Sequence, residues 1–361
     1  MQAKALKYIT PWIFALVHVP ACILLVASAY SDRISPEQIL FFSYLGLAFP
    51  FIYALNIGIT IYWAFLRRWK YLIAGLAALA ICWNPASNYF PFHLKKDIPE
   101  ENTIKVLTYN VMGFSYMTKE KGTADSIIRY IAASGADIVC IQEYLANNEN
   151  TKKINNALDM YPHKSIVRLK NFGAGLALYS KYPILSSRRI EYPSKDNGSA
   201  IHLININGKT LTLINNHLES FKLTSKDKLH YLDFLKGARN EAFDGLRSTI
   251  QQKLGPAFLI RAKQARAVDM EIRKSESDYI LVCGDFNDTP ISYAHRKIQG
   301  KLSDAFARSG NGIGITYNLN YFWFRIDNIL HSANMKAYRC TVDHVNYSDH
   351  YPLWCHLSLQ P

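Results

Sequence analysis

Tyr279-Ile280-Leu281-Val282-Cys283-Gly284-Asp285-Phe286-Asn287-Asp288 is the stretch on which the reading of this chain turns. Its first half is a short apolar run bounded by polar residues, the pattern of a buried strand. Its second half opens into a loop carrying Asp285 and Asn287. A carboxylate at the end of a buried strand needs hydrogen bonds, a metal or solvent. Polar loop residues on a rigid scaffold are where chemistry concentrates. A second acidic loop facing this one would make the chain a hydrolase rather than a scaffold.

Working outward, strand-like and helix-like segments alternate after a charged, Pro-containing linker at His93 to Glu101. Strands are predicted over Ile104 to Tyr109, Ile138 to Gln142, Gly175 to Tyr179, Ile326 to Leu330 and Leu353 to Leu357. Ala200 to Ile206 and Thr210 to Asn215 flank Asn207-Gly208, a strong hairpin signal. Ala124 to Ser134 has Ile127, Ile128 and Ile131 at helical spacing, with Gly135 as its stop. Ser225 to Gln252 and Ala257 to Lys274 read as polar helices rich in Lys and Arg. Hairpins mixed with crossover helices predict an α+β fold of two stacked sheets with helices outside. There are no internal repeats.

Polar clusters sit at the predicted strand ends: Asn110, Gln142-Glu143, Asn216-His217, Asp285 with Asn287, and Ser348-Asp349-His350. Each alone is an ordinary solvated loop residue or cap. Together, each joined to an apolar strand, they form a pattern. From about Thr103 to Leu357 the chain resembles the endonuclease/exonuclease/phosphatase superfamily. That superfamily includes pancreatic-type deoxyribonuclease, abasic-site endonucleases, neutral sphingomyelinases and inositol-polyphosphate 5-phosphatases. The matching motifs are Tyr109-Asn110-Val111, Gln142-Glu143, Asn216-His217-Leu218, Gly284-Asp285-Phe286-Asn287, Arg325-Ile326-Asp327 and Ser348-Asp349-His350. The resemblance implies a four-layered α/β/β/α sandwich with these motifs meeting at one end of the two sheets.

It also implies a division of labour that the chemistry supports. Phosphate-ester hydrolysis needs a divalent cation, an activated water and stabilisation of the leaving oxygen. Mg²⁺, with Mn²⁺ as a substitute, prefers few carboxylates and keeps several waters. Glu143 is expected as its principal ligand, with Asn110 and Asp349 nearby. Asp285 would orient or deprotonate the attacking water. Asn287 would hold a phosphate oxygen without adding negative charge, and Asn110 and His217 would also touch the substrate. His217 and His350 would donate to the phosphoryl group in the transition state. Asp327 would orient one histidine, His217 or His350. Met112 stands where some abasic-site enzymes carry an acidic residue. His217 looks like the deoxyribonuclease and sphingomyelinase branches. Asn328 replaces a usual aromatic.

The N-terminus adds a second theme. Ile9 to Tyr30 is almost wholly apolar, Ile39 to Phe65 has no charge over 27 residues, and Tyr71 to Trp83 thins into an aromatic stretch ending at Phe92. A helix needs about 20 apolar residues to cross a bilayer. The first two runs meet that length; the third does so only if it extends through Tyr89 and Phe90. A cleaved signal peptide is the plain alternative for the first run, and a longer second span argues against it. These runs divide the chain into a membrane anchor of about three transmembrane helices (1–92), a linker (93–102) and a catalytic domain (103–361). Arg67, Arg68 and Lys70 fill the second loop, whereas Asp32, Arg33 and Glu37 leave the first at −1. The positive-inside rule then makes the N-terminus cytoplasmic and the catalytic domain extracytoplasmic, periplasmic in a Gram-negative cell. Lys95 and Lys96 oppose this.

The net charge is +13. Residues 1–94 hold six Lys/Arg and two Asp/Glu, leaving 35 and 26, or +9, for the remainder. Such a domain suits anionic partners, polynucleotide or phospholipid head groups. Much of the charge lies in Phe221 to Lys274, which reads either as a surface for an anionic substrate or bilayer, or as a solvated helix pair. Gly310-Asn311-Gly312-Ile313-Gly314 lacks a P-loop's setting and reads as a flexible rim loop. No CxxC or dense spacing among the six scattered cysteines suggests zinc or a disulfide framework, and one Cys340–Cys355 bridge stays open.

The expected activity is membrane-anchored, metal-dependent hydrolysis of a phosphodiester, first a lipid head group near the bilayer. An exported endonuclease or exonuclease is the alternative, with inositol or sugar phosphates third. A non-catalytic anchored binding module would have lost some of these polar groups. Substrate and bilayer are the expected partners, and no motif calls for an obligate protein partner.

Overall fold

The computed structural model describes residues 2–94, 96–115, 123–145, 148–169, 174–194, 196–223, 245, 248–318 and 323–360. The N-terminal part contains α1 (Gln2–Ala29), α2 (Phe41–Phe65), α3 (Trp69–Ile81) and α4 (Trp83–Tyr89). The remainder contains β1 (Thr103–Asn110), α5 (Thr123–Ala133), β2 (Ile138–Tyr144), α6 (Asn148–Ala157), β3 (His163–Arg168) and β4 (Gly175–Ser180). It continues with β5 (Ile184–Ile190), β6 (Gly198–Ile206), β7 (Lys209–His217), α7 (Gly255–Lys274), β8 (Tyr279–Asp285) and α8 (Tyr293–Gln299). It ends with β9 (Ser303–Asp304), α9 (Ala305–Ser309), β10 (Asp327–His331), β11 (Met335–Val342) and β12 (Leu353–Leu359).

The strands form two six-stranded mixed sheets, ordered β11-β12-β1-β2-β4-β3 and β5-β6-β7-β8-β10-β9. Ile104, Val106, Ile138, Cys140 and Leu178 of the first face Ile204, Leu211, Leu213, Leu281 and Ile329 of the second. On the outer face of the first sheet, Leu107, Val139 and Ala177 pack on Ile127, Ile131 and Ile154 of α5 and α6. On the outer face of the second, Ile214, Val282 and Leu330 pack on Ala265, Val268, Ala294 and Ile298 of α7 and α8. Both faces of each central strand are therefore buried, which is why these strands read as near-continuous apolar runs. The result is the expected α/β/β/α layering.

Helix α7 corrects the reading of the basic segment. It is neither a solvated helix nor an open binding surface but the outer layer of the second sheet, burying Ala262, Ala265 and Val268. Arg261 on it is fully buried, bonded through Nε to Asp288 Oδ2 at 3.0 Å and through NH1 to Glu219 O at 2.7 Å. Burial dominates and lowers its guanidinium pKa, against the opposing pull of Asp288. The helix predicted at Ser225 to Gln252 lies largely outside the described residues.

The N-terminal helices pack on one another and on the sandwich. Leu25, Leu45, Phe49, Ala78, Cys82 and Tyr89 share a core with Ile291, just beyond β8. A Cβ on Gly46 would lie 2.5 Å from Ile291 O, so helix and loop touch backbone to backbone. Tyr44 meets Phe258 of α7 edge-on at 5.5 Å. Glu37 takes a two-pronged ion pair from Arg266 at 2.6 and 2.9 Å, and Asp32 lies 3.5 Å from Arg296. The loop between α1 and α2 thus rests on α7 and α8 of the sandwich. The Gly-rich loop is tied down rather than free: Gly312 N donates to Pro91 O and His93 N to Asn311 Oδ1.

Among the described helices, Phe41–Phe65 is long and apolar enough to cross a membrane, while Ala15–Ala29 and Trp69–Ile81 are shorter apolar helices. The third run breaks at Cys82 instead of continuing to Phe90. Pro85 cannot donate to the carbonyl four residues back. That carbonyl, Ile81 O, accepts the Tyr30 hydroxyl at 2.7 Å instead. Phe51, Leu55, Phe65, Trp69, Ile73 and Trp83 point outward from the bundle and are exposed. Cys340 and Cys355 are buried free thiols, so the bridge left open by the sequence is not formed.

Candidate active site

Strand register assembles the site. In the second sheet Asp285 pairs with His217 of parallel β7 and with Asp327 of antiparallel β10, so three side chains end in one row. Gly284 makes this close row attainable. Its φ is 117° and a Cβ there would lie 2.1 Å from Asn216 O. In the first sheet Asn110 pairs with Gln142. The next residue, Glu143, sits in a bulge between Ile141 and Tyr144 with φ 53°. Bulges re-aim a side chain, and here the bulge turns Glu143 toward the cluster. Asn287 is also left-handed, at φ 51°. Backbone held in this sparsely populated region is concentrated at functional sites.

Asp285 is the hub. It accepts from Asn110 Nδ2 at 3.1 Å, from Asn287 N at 2.8 Å and from Asn287 Nδ2 at 3.1 Å. His217 Nε2 and His350 Nε2 lie 3.7 and 3.6 Å from its Oδ2. Glu143 Oε1 accepts from Asn110 Nδ2 at 3.1 Å and lies 3.4 Å from His217 Nε2. His350 Nδ1 is 2.8 Å from Asp327 Oδ2, so Asp327 serves His350. Ser348 Oγ ties the last loop to Asn110 O at 2.8 Å and to Asp349 Oδ1 at 3.3 Å. All the residues named from sequence converge. Asn110, expected at the metal, turns its amide nitrogen to both carboxylates while its oxygen accepts from Met112 N.

The electrostatics follow from burial and crowding. Burial pushes the Asp285 carboxyl up to about 6, Asp327 adds to that, and His350 and His217 oppose it. A carboxylate shifted toward neutrality is suited to taking a proton from water. Burial works against protonated His350, yet Asp327 and Asp285 hold it well above the usual imidazole value. Imidazolium beside a reacting phosphoryl group can donate to it. Burial raises Asp349, His350 pulls it back and the charge of Glu143 raises it again.

That last push is the test of a cation here. Glu143 and Asp349 crowd like charges at the open side of the cluster, an arrangement a divalent ion relieves. The donor set is all oxygen, which suits Mg²⁺ or Mn²⁺. Glu143 and Asp349 would hold it, and it would supply charge neutralisation at a phosphate oxygen. Asp285, Asp327 and His350 also have ligand atoms within 4.8 Å of one another. In that group the His350 nitrogen facing Asp327 is already engaged by its hydrogen bond.

Two contributors were missed from sequence. Asn197 Nδ2 lies 3.3 Å from His217 Nε2 and donates to Leu218 O at 3.0 Å. Its only local signal is Asn197-Gly198, which reads as a turn. Tyr317 meets the His350 ring at 5.1 Å, edge to face, from the segment after the Gly-rich loop.

Residues 107–350 match the Endonuclease/Exonuclease/phosphatase family. The chain belongs to that family. Residues 11–89 separately match a domain family of unknown function, DUF8431. A putative neutral sphingomyelinase of Drosophila melanogaster is 28% identical over 131 residues, covering 32% of this chain and 30% of that protein. The chain therefore matches under a third of that relative's length. A humanized D. rerio TDP2 superposes with TM-score 0.52 at 17% identity, over 71% of this chain and 99% of that one. A family member from Bacteroides vulgatus gives TM-score 0.52 at 18% identity, over 72% and 100%. At such identities the structures establish the shared sandwich. The matched residues take in every member of the assembled cluster, from Asn110 to His350.

Proposed function

We propose that the chain is a membrane-anchored, divalent-metal-dependent phosphodiesterase acting on a lipid head group at the bilayer surface. Residues 1–92 are its anchor, 93–102 a linker and 103–361 the catalytic domain. The observation that carries this reading is which end of the sandwich meets the helices. Ile291, which follows Asp285 and Asn287 in the same loop, is buried in the helical core. Arg325, two residues before Asp327, donates to Asn88 O at 2.6 Å. The catalytic end is thus held against the bundle, and a substrate in the adjoining leaflet lies nearest to it. The similarity to a putative neutral sphingomyelinase favours the same class.

Charge and contact support an extracytoplasmic catalytic domain. The first loop rests on the catalytic domain through Glu37–Arg266, so both occupy one side. Arg67, Arg68 and Lys70 mark the opposite, cytoplasmic side. The catalytic domain is then extracytoplasmic, with α3 and α4 together completing the third crossing. In the reaction His217, His350 and Asn287 hold the phosphoryl oxygens, and Asp285 orients the attacking water and takes its proton.

Nucleic acid is the second reading, favoured by the +13 charge. A similarly folded D. rerio TDP2 is known with a single-strand DNA product. The deciding experiment is a Mg²⁺-dependent screen of the full chain in detergent. It compares sphingomyelin and glycerophospholipids in mixed micelles with plasmid DNA and inositol phosphates. Lipid head-group release is expected; cleavage of DNA without lipid turnover would sink the lipid reading. A C-terminal reporter active only outside the cytoplasm tests topology, and a silent, well-expressed fusion would reverse it.

A further inference from the structure

A large cavity among the described residues lies apart from the catalytic cluster. It holds about 950 Å³ and opens between β11, α9 and the segment leaving the bundle at His93 and Leu94. None of the catalytic residues lines it. Its volume suits a ligand of drug size or larger. Its floor is apolar, with Phe306 and Met335 buried, whereas Arg308, Lys336 and Arg339 on its rim are exposed. With Lys96 the lining carries four Lys/Arg and three His, and no Asp or Glu. Acidic groups nearby have partners: exposed Asp97 lies 3.6 Å from Arg339 NH2 and offsets that cation, buried Asp304 lies 3.2 Å from Arg325 NH1, and Asp343 Oδ2 accepts from Trp354 Nε1 at 2.9 Å.

The rim is fixed to the point where the chain leaves the helices. His93 Nε2 is 2.9 Å from Ala307 O, and Arg339 Nε donates to Lys96 O at 3.1 Å. Phe92 and Leu94 are 82% and 79% exposed there, and Ile313 forms the facing lip at 45%. An apolar floor, a cationic rim and an exposed apolar lip match a molecule with a chain and an anionic head.

We propose that this cavity binds an anionic phospholipid of the adjoining leaflet, distinct from the substrate at the catalytic cluster. The phosphate rests on Arg308 and Lys336, and the acyl chain runs along Phe306 and Met335. Charge complementarity selects against a zwitterionic lipid. The inference rests on the bilayer setting proposed above. Carbonate extraction of membranes tests that setting separately, since release of the chain would remove the anchor without bearing on the cavity's selectivity.

The test uses the full chain in detergent, supplied with equal phosphatidylglycerol and phosphatidylcholine and read by native mass spectrometry. The wild type should retain phosphatidylglycerol in preference, and R308E/K336E should lower its retention about fivefold or more. Hydrolysis of soluble bis-p-nitrophenyl phosphate should be unchanged. Equal retention of the two lipids by the wild type overturns the proposal. So does undiminished phosphatidylglycerol retention in R308E/K336E. Should that variant fold poorly, R308Q/K336Q provides the same contrast.

Discussion

His350 Nδ1 stands 2.8 Å from Asp327 Oδ2, and both side chains are buried. The bond orients the ring so that Nε2 points at Asp285, 3.6 Å away. Asp327→Asn keeps the shape but loses the charge that favours imidazolium. It is expected to lower kcat for bis-p-nitrophenyl phosphate by about 100-fold or more, with KM little changed. Wild-type kcat in that variant would remove His350 from the chemistry.

A metal requirement is expected at Glu143 and Asp349. Chelation should abolish turnover, and Mg²⁺ or Mn²⁺ should restore it. Glu143→Gln should raise the metal concentration for half-maximal rate by about tenfold or more. An unshifted metal titration would take Glu143 out of the ion's coordination.

Arg261 bridges both catalytic loops, through Glu219 O after His217 and Asp288 after Asn287. Arg261→Met leaves the Asp288 carboxylate buried without its partner, at a cost of about 3–5 kcal/mol. The melting temperature of the full chain should fall accordingly, and R261M/D288L should recover part of it. Equal melting of the single and double variants would contradict the pairing.

Gly284 admits no side chain. Gly284→Ala drives a Cβ onto Asn216 O, 2.1 Å away, at φ 117°. A loss on the order of 3 kcal/mol is expected from strain and overpacking. Denaturant unfolding of the full chain measures it, and a midpoint unchanged from wild type would refute the close approach.

His202 sets an acid limit. Burial lowers its imidazole to about 4, beside Ser187 Oγ at 2.8 Å. The unfolded chain regains a value of about 6.5. Between those values the unfolded state binds the proton and the folded state does not. Stability is therefore complete above about pH 6.5 and declines as pH falls toward 4, by roughly 3 kcal/mol in all. His202→Gln should flatten that part of the urea-midpoint profile; an equally steep profile would assign the loss elsewhere.

The site was legible where chemistry coincided with strand ends. Asp285, His217 and Glu143 each follow an apolar run, and strand order brings them together. Asn197 and Tyr317 gain their partners through tertiary contact, and their local surroundings read as turn and loop. Edge strands β3 and β5 were missed because their partly exposed residues break the apolar pattern. Charge misled at α7. Arg261 and Arg266 raise the count of basic residues, yet one is neutralised inside the fold by Asp288 and the other by Glu37. A sum of charges carries no information about pairing. The break at Cys82 was invisible for a similar reason, since hydropathy does not register the hydrogen bond that Pro85 lacks.

Arg325 has one further consequence. Its guanidinium grips Asp304 with NH1 and Asn88 O with NH2 while fully buried. A fragment begun at residue 95 would strip one side of that grip. It would also bare Ile291, in the loop that follows Asp285 and Asn287. The protein has no clean seam between handle and blade, and an inert truncation would report a damaged cleft instead of a dead enzyme.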